Sequence, residues 1–274
     1  FFQPIDEDEA DVEMEDVLDD HRKPCVLIVE DNKDVRQYVR DILTPDFRTR
    51  EALDGEQGFA RAVERIPDLI LSDVMMPVVD GFELSKRLKS DDRTSHIPII
   101  LLTARASDGS KIEGLELGVD DYIIKPFDAH ELKVRVRNLI VQRKKLREKF
   151  SRTWTSASSV ELVAPIDERF LQRALELVEA NIDDPELNAE TFAHKIGLSR
   201  MQLHRKLKSL TDMTTSQFVA AVRLKRAAEM LKSRTDSVSQ IAFQVGFNNP
   251  SYFAECFKKM YAVTPSQYAA DPML

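Results

Sequence analysis

The chain has few cysteines and no long apolar run. Cys25 and Cys256 are its only two cysteines, far apart, with no C-x-x-C pair and no histidine at metal-ligand spacing. That excludes a disulfide scaffold and a zinc module, and a reduced cytoplasmic protein is the expectation. His21, His96, His130 and His194 have no partners at ligand spacing either. No apolar stretch approaches the roughly 18 residues of a spanning helix. The longest, Ile97 to Ala104, is strand-sized, so no membrane contact by this segment is expected. The chain opens Phe1-Phe2 without a basic n-region, a cleavage site or an initiator Met. No secretory signal is read there, and a fragment of a longer or processed protein is the expectation.

What is present is unevenly charged. The formal net charge of −8 hides two opposed regions. Residues 1–24 carry ten acids and two bases, whereas 187–268 carry twelve bases and five acids. The first reads as an acidic disordered linker ending at Pro24. The second has the balance of a nucleic-acid-binding end.

From Cys25 onward, strands alternate with helices. Cys25 to Val29, Phe47 to Ala52, Leu69 to Ser72, Ile97 to Leu102 and Tyr122 to Ile124 read as strands. Helical patterns lie between them, including Gln57 to Arg65, Phe82 to Leu88 and Lys111 to Leu117, and another runs from Asp128 to Phe150. Five continuous apolar strands separated by helices predict a doubly wound α/β fold with a parallel sheet covered on both faces. The Ser/Thr-rich stretch Ser151 to Ser159 reads as a linker, and everything after Pro165 is helical in pattern.

Polar residues cluster at the carboxyl ends of these strands: Glu30 and Asp31, Asp73, Thr103 and Lys125. In open α/β sheets that edge is where sites are built. Three carboxylates converging without fixed positive charge repel one another, so a hard cation such as Mg²⁺ is the expected occupant. Lys125 adds a second positive charge and Thr103 a hydroxyl donor. This set suits phosphoryl transfer to a carboxylate, with Asp73 as nucleophile. An aspartyl-phosphate phosphatase would need a second Asp two residues after Asp73, where Met75 stands. A binding module that merely dimerises, without titrating its aspartate, is the other alternative.

Val29-Glu-Asp-Asn32, Asp68 through Asp73 to Pro77, Gly81-Phe82, Ile100 to Ala104 and Asp121 to Phe127 together make residues 25–140 similar to a receiver domain of two-component signalling, of the CheY-like kind. The resemblance implies that Asp73 accepts phosphate from a histidine kinase, in cis or in trans. Glu30, Asp31, Asp73 and the Met75 backbone carbonyl would bind Mg²⁺. It further implies that Thr103 and Tyr122 form a switch pair, and that Lys125-Pro126 is cis.

The C-terminal part contains a duplication. Thr191 to Leu198 matches Gln240 to Phe247 at an offset of 49, and Leu203 to Phe218 matches Phe253 to Tyr268 at an offset of 50. Each copy reads helix, glycine turn, helix, through Gly197 and Gly246. Ser199 is expected to cap Arg200 to Leu210, and Asn249 to cap Pro250 to Met260. With Leu203, Leu207, Phe253 and Phe257 facing the core, Arg200, Met201, His204, Arg205, Ser251, Ala254 and Glu255 are expected outward, where a recognition helix meets base edges. A helix over Thr215 to Leu231 joins the copies, and Arg223, Lys225, Arg226 and Lys232 suit phosphate contacts.

Residues 166–268 resemble an AraC-type DNA-binding domain, on Leu198 to Lys206, Arg223 to Ala227, Val245-Gly-Phe247 and Tyr252 through Lys258 to Tyr268. The resemblance implies double-stranded DNA as ligand and adds Gln202, Asn249, Tyr252 and Lys258 to the candidate contacts. Asp212 and Ala262 stand where that family usually has glycine, which predicts a local stability cost. Glu255 and Ala254 predict a weaker second module. The expected layout is a linker over 1–24, a receiver over 25–142, a helical extension and linker over 143–165, and a double helix-turn-helix domain over 166–270. The whole resembles the C-terminal half of a hybrid sensor kinase, itself no enzyme. Its expected partners are a kinase, DNA, a second copy when phosphorylated, and RNA polymerase.

Overall fold

The computed structural model describes residues 23–104, 118–153, 165–233 and 236–270, with backbone alone for 146–153 and 165. The expected helix over Lys111 to Leu117, the acidic tail up to residue 22 and linker residues 154–164 lie outside the described residues. The chain divides into two compact units, Phe1–Glu148 and Lys149–Leu274. No helix among the described residues is long and apolar enough to cross a membrane.

The first unit runs β1 (Cys25–Val29), α1 (Lys33–Leu43), β2 (Arg48–Ala52), α2 (Gly55–Glu64), β3 (Leu69–Asp73), α3 (Gly81–Ser90), β4 (Ile99–Thr103), β5 (Asp121–Ile124) and α4 (Ala129–Thr153). The five strands form one parallel sheet in the order β2-β1-β3-β4-β5. Strand periodicity of two sorts its side chains into two cores. Val26, Ile28, Leu69, Leu71, Ile100 and Leu102 pack on one face with Val39 and Leu43 of α1 and Leu132 and Val136 of α4. Leu27, Val29, Ile70, Ile99 and Leu101 pack on the other with Ala62 of α2 and Leu84 and Leu88 of α3. Both faces are therefore covered, which is why β1, β3 and β4 read as unbroken apolar runs.

β2 departs from that expectation. Its sequence, Arg-Thr-Arg-Glu-Ala, buries only Ala52. At the sheet edge it pairs with β1 alone, and Glu51 bonds Arg36 and Arg40 of α1, each at 2.9 Å.

The second unit contains α5 (Pro165–Ala180), α6 (Ala189–Ile196), α7 (Arg200–Thr211), α8 (Thr215–Ser233), α9 (Val238–Gln244), α10 (Pro250–Tyr261) and α11 (Pro265–Ala270). The 19 residues of α8 make a rod about 28 Å long. Its first half, through Phe218, Val219 and Val222, joins a core with α5, α6 and α7. Its second half, through Leu224, Ala227 and Leu231, joins another with α9, α10 and α11. The duplicated modules thus share one spine.

Candidate functional site

In the α/β unit the edge formed by the strand carboxyl ends collects the polar residues singled out above. Glu30 and Asp31 leave β1 and Asp73 ends β3, and their carboxylates each place an oxygen within 4.8 Å of the others. Asp31 is exposed, whereas Glu30 and Asp73 are buried. Lys125, just past β5, sets its ammonium 2.8 Å from Glu30 Oε2 and 3.0 Å from Asp73 Oδ1. The Val74 amide donates to Asp73 Oδ1 at 2.9 Å. The Asn32 side chain accepts from the amides of Asp34 and Val35, which starts α1 directly behind the acidic pair.

Burial pushes the Glu30 carboxyl above its ordinary value, and the Asp73 charge adds to this against the Lys125 hydrogen bond. Burial acts to lower Lys125, but its bonds to Glu30 and Asp73 win and hold the ammonium above its usual range. The loop after β3 folds back onto the aspartate. Gly81 donates to the Val74 carbonyl at 3.0 Å, and a Cβ on Gly81 would fall 2.2 Å from the Asp73 carbonyl oxygen. Met75 lies in this loop with its side chain 76% exposed. Thr103 ends β4, and its carbonyl accepts from the Lys125 amide at 2.7 Å. The Lys125-Pro126 bond is cis. Tyr122, on β5, is partly buried, and burial raises its phenol. Its shielded hydroxyl has no hydrogen-bond partner among the described residues.

In the helical unit, α7 and α10 are presented alike. Ser199 and Gln202 form a reciprocal capping box at the start of α7, and Asn249 accepts from the Ser251 and Tyr252 amides at the start of α10. Buried Leu203 and Leu207 correspond to buried Phe253 and Phe257. The positions left outward also correspond at the offset of 50: Met201 and Ser251, Gln202 and Tyr252, Arg205 and Glu255, Lys208 and Lys258. Those of α7 are partly exposed and those of α10 are exposed.

A model of the response regulator receiver domain matches residues 26–137, and a model of a helix-turn-helix domain matches 192–271. The chain joins a receiver domain to a helix-turn-helix domain. Histidine kinase P4 of Formosa agariphila is 40% identical over 264 residues, covering 96% of this chain and 19% of the kinase. The DNA-binding dual master transcriptional regulator RpaA of a Synechocystis strain is 42% identical over 118 residues, covering 43% of this chain and 49% of its own. The receiver domain of Francisella response regulator 1452 is 36% identical, with a TM-score of 0.42 over 44% of this chain and 98% of that one. This chain therefore spans under a fifth of the kinase's length and about half of RpaA's.

The receiver brings Glu30, Asp31, Asp73 and Lys125 together, with Thr103 and Tyr122 on neighbouring strands. Three expectations for the helix-turn-helix domain need correction. His204 is 4% exposed rather than outward. It shares a side of α7 with buried Leu207 and Thr211, and α6 and α8 both pack on that helix. Arg200 is only partly exposed, with Nε and Nη2 shielded from solvent. Arg223, expected at phosphates, is buried, and its guanidinium donates to the Asp184 carbonyl beneath Gly246. Gln202 and Asn249 spend their side-chain oxygens on helix caps. Lys206 escaped sequence reasoning altogether. It is fully buried against Asp167 of α5, and its position one turn after Leu203 was the available signal.

Proposed function

We propose that this chain is a two-component response regulator whose receiver controls sequence-specific DNA binding, and thereby transcription, through phosphorylation of Asp73. The observation that carries the reading is the carboxylate cluster with the Lys125 ammonium 3.0 Å from Asp73, in one chain with paired helix-turn-helix modules. A phosphohistidine on a kinase is the donor. The Asp73 carboxylate forms the new O–P bond as the P–N bond breaks, and the imidazole takes a proton from solvent. Lys125 neutralises charge on the phosphoryl oxygens, and the Thr103 hydroxyl donates to one of them.

The donor set fits Mg²⁺: hard carboxylate oxygens come from Glu30, Asp31 and Asp73, and the Met75 backbone carbonyl would join them. When bound, the ion neutralises charge on the phosphoryl group during transfer. Thr103 and Tyr122 then carry the change to the receiver surface. The chain itself is a regulator rather than an enzyme and works in the cytoplasm, where nucleotide-fed kinases and DNA both are. Its similarity along 96% of its length to part of a histidine kinase supports a kinase acting in cis.

On DNA, Met201, Gln202 and Arg205 face the bases from α7, and Ser251, Tyr252 and Glu255 from α10, with Lys258 at phosphate. Glu255 stands where the first module has Arg205, so the second module contributes less affinity. Phosphorylated copies pair on a repeated site and engage RNA polymerase. The test is anisotropy with DNA from the gene's own neighbourhood, with and without Mg²⁺ and beryllofluoride, at fixed salt. Tighter binding that Asp73→Asn abolishes supports the reading. Binding indifferent to both removes the phosphoswitch.

A further inference from the structure

α5 lies outside the segment matched by the helix-turn-helix model, which begins at residue 192. One of its side chains nevertheless reaches the centre of the first reading helix. Asp167, in the first turn of α5, accepts a hydrogen bond from the Lys206 ammonium, and both side chains are 0% exposed. The same ammonium stands 5.4 Å from the centre of the buried Phe170 ring, one turn further along α5. Among the described residues the second module shows no such arrangement. At the matching position it carries Cys256, partly buried.

The apolar contacts of α7, through Leu203, Leu207 and Leu210, are non-directional and survive repacking. A buried ion pair behaves differently. Separating its members strands two desolvated charges, so the pair tolerates neither sliding nor rotation of one helix on the other. Its burial also costs more than a well-packed apolar pair of the same volume, which makes stability a poor reason for keeping it.

We propose that Asp167 and Lys206 are positioning residues. Their pair fixes the axial and rotational register of α7, and with it the direction in which Met201, Arg205 and Lys208 point. This rests on the reading of the helical unit as DNA-binding and adds that recognition by the first module depends on a helix outside the tandem repeat.

The test uses the full chain and a duplex that the chain itself enriches from a random library, with a scrambled duplex as reference. The variant is Asp167→Leu with Lys206→Met, an apolar pair in the same place. It is expected to melt at or above the wild-type temperature. Discrimination between the two duplexes should fall about tenfold, the worth of one base contact. The salt slope should stay unchanged because neither residue meets a phosphate. Protection should fade over the bases read by α7 and persist over those read by α10. A variant that melts like the wild type and keeps full discrimination overturns the proposal. If that apolar pair does not fold, a smaller one, Asp167→Val with Lys206→Leu, replaces it with the same two outcomes. Failure of the wild-type chain itself to discriminate would remove the DNA-binding reading and this inference together. A wild-type chain that discriminates, beside a folded variant that discriminates equally well, removes only the inference.

Discussion

Arg223→Ala separates two roles that one arginine cannot fill at once. The side chain is buried, its guanidinium donates to the Asp184 carbonyl, and it lies against the turn at Gly246. A charge-assisted hydrogen bond of this kind is worth about 1.5–3 kcal/mol. Removing the stem adds a packing loss, so about 3 kcal/mol in total is a reasonable magnitude. For a helical unit of about 100 residues this lowers the melting temperature by roughly 12–24 °C. Circular dichroism at 222 nm on the full chain reads the loss. The second measurement is the salt dependence of DNA binding at a temperature where the variant is folded. Because Arg223 touches no phosphate in this reading, the slope should match the wild type, whereas Lys225→Ala should reduce it by about one. An Arg223→Ala chain that melts like the wild type but loses about one unit of slope would refute the structural role.

Ala262 caps α10 at φ +63°, a left-handed conformation that costs a Cβ-bearing residue about 1 kcal/mol. Ala262→Gly should therefore raise the melting temperature of the helical unit by roughly 4–8 °C, and an unchanged or lower value contradicts the assignment. Asp120 bonds Lys89 at 2.8 Å and Arg143 at 3.0 Å. Burial acts to raise its carboxyl, but those cations and the Ile99 amide win and hold it below the usual value. Asp120→Asn should cost the receiver about 2 kcal/mol at neutral pH. Because the folded value is the depressed one, that difference is full above the unfolded pKa of about 4 and closes as pH falls through the folded one. Denaturant midpoints of both chains from pH 7 to pH 3 check this. Gly81→Ala would press a Cβ onto the Asp73 carbonyl oxygen, so phosphate uptake from acetyl phosphate should fall about tenfold or more. Uptake equal to the wild type would show that the β3–α3 loop yields freely.

The parts of the fold that could be read in the sequence are those governed by local periodicity. Cys25–Val29 and Ile99–Thr103 are legible because both sheet faces are covered, so every position is apolar or small. β2 is legible only from its place between helices, since an edge strand has no need of an apolar run. The receiver site is legible because its residues sit at strand ends, where topology alone brings them together. Lys206, His204 and Arg223 were not, for one shared reason. Residue type argues for solvent, and burial is decided by partners distant in sequence, such as Asp167 and Asp184. Helical spacing carried the contrary signal: Lys206 follows Leu203 by three and precedes Leu210 by four.

The capping of the helical unit bears on how its sequence can change. Ser199 with Gln202, Thr214 with Gln217, Ser237 with Gln240 and Thr264 with Gln267 each close a helix start within four residues. Of these eight side chains only Gln202 belongs to the outward set of the reading helices. Folding instructions and reading surface are thus written almost entirely in different letters. Met201, Arg205 and Lys208, with Ser251, Tyr252, Glu255 and Lys258, form a compact set of seven positions for a retargeting library. Drift at those seven over evolutionary time can give the scaffold new addresses on the genome while its architecture stays as it is.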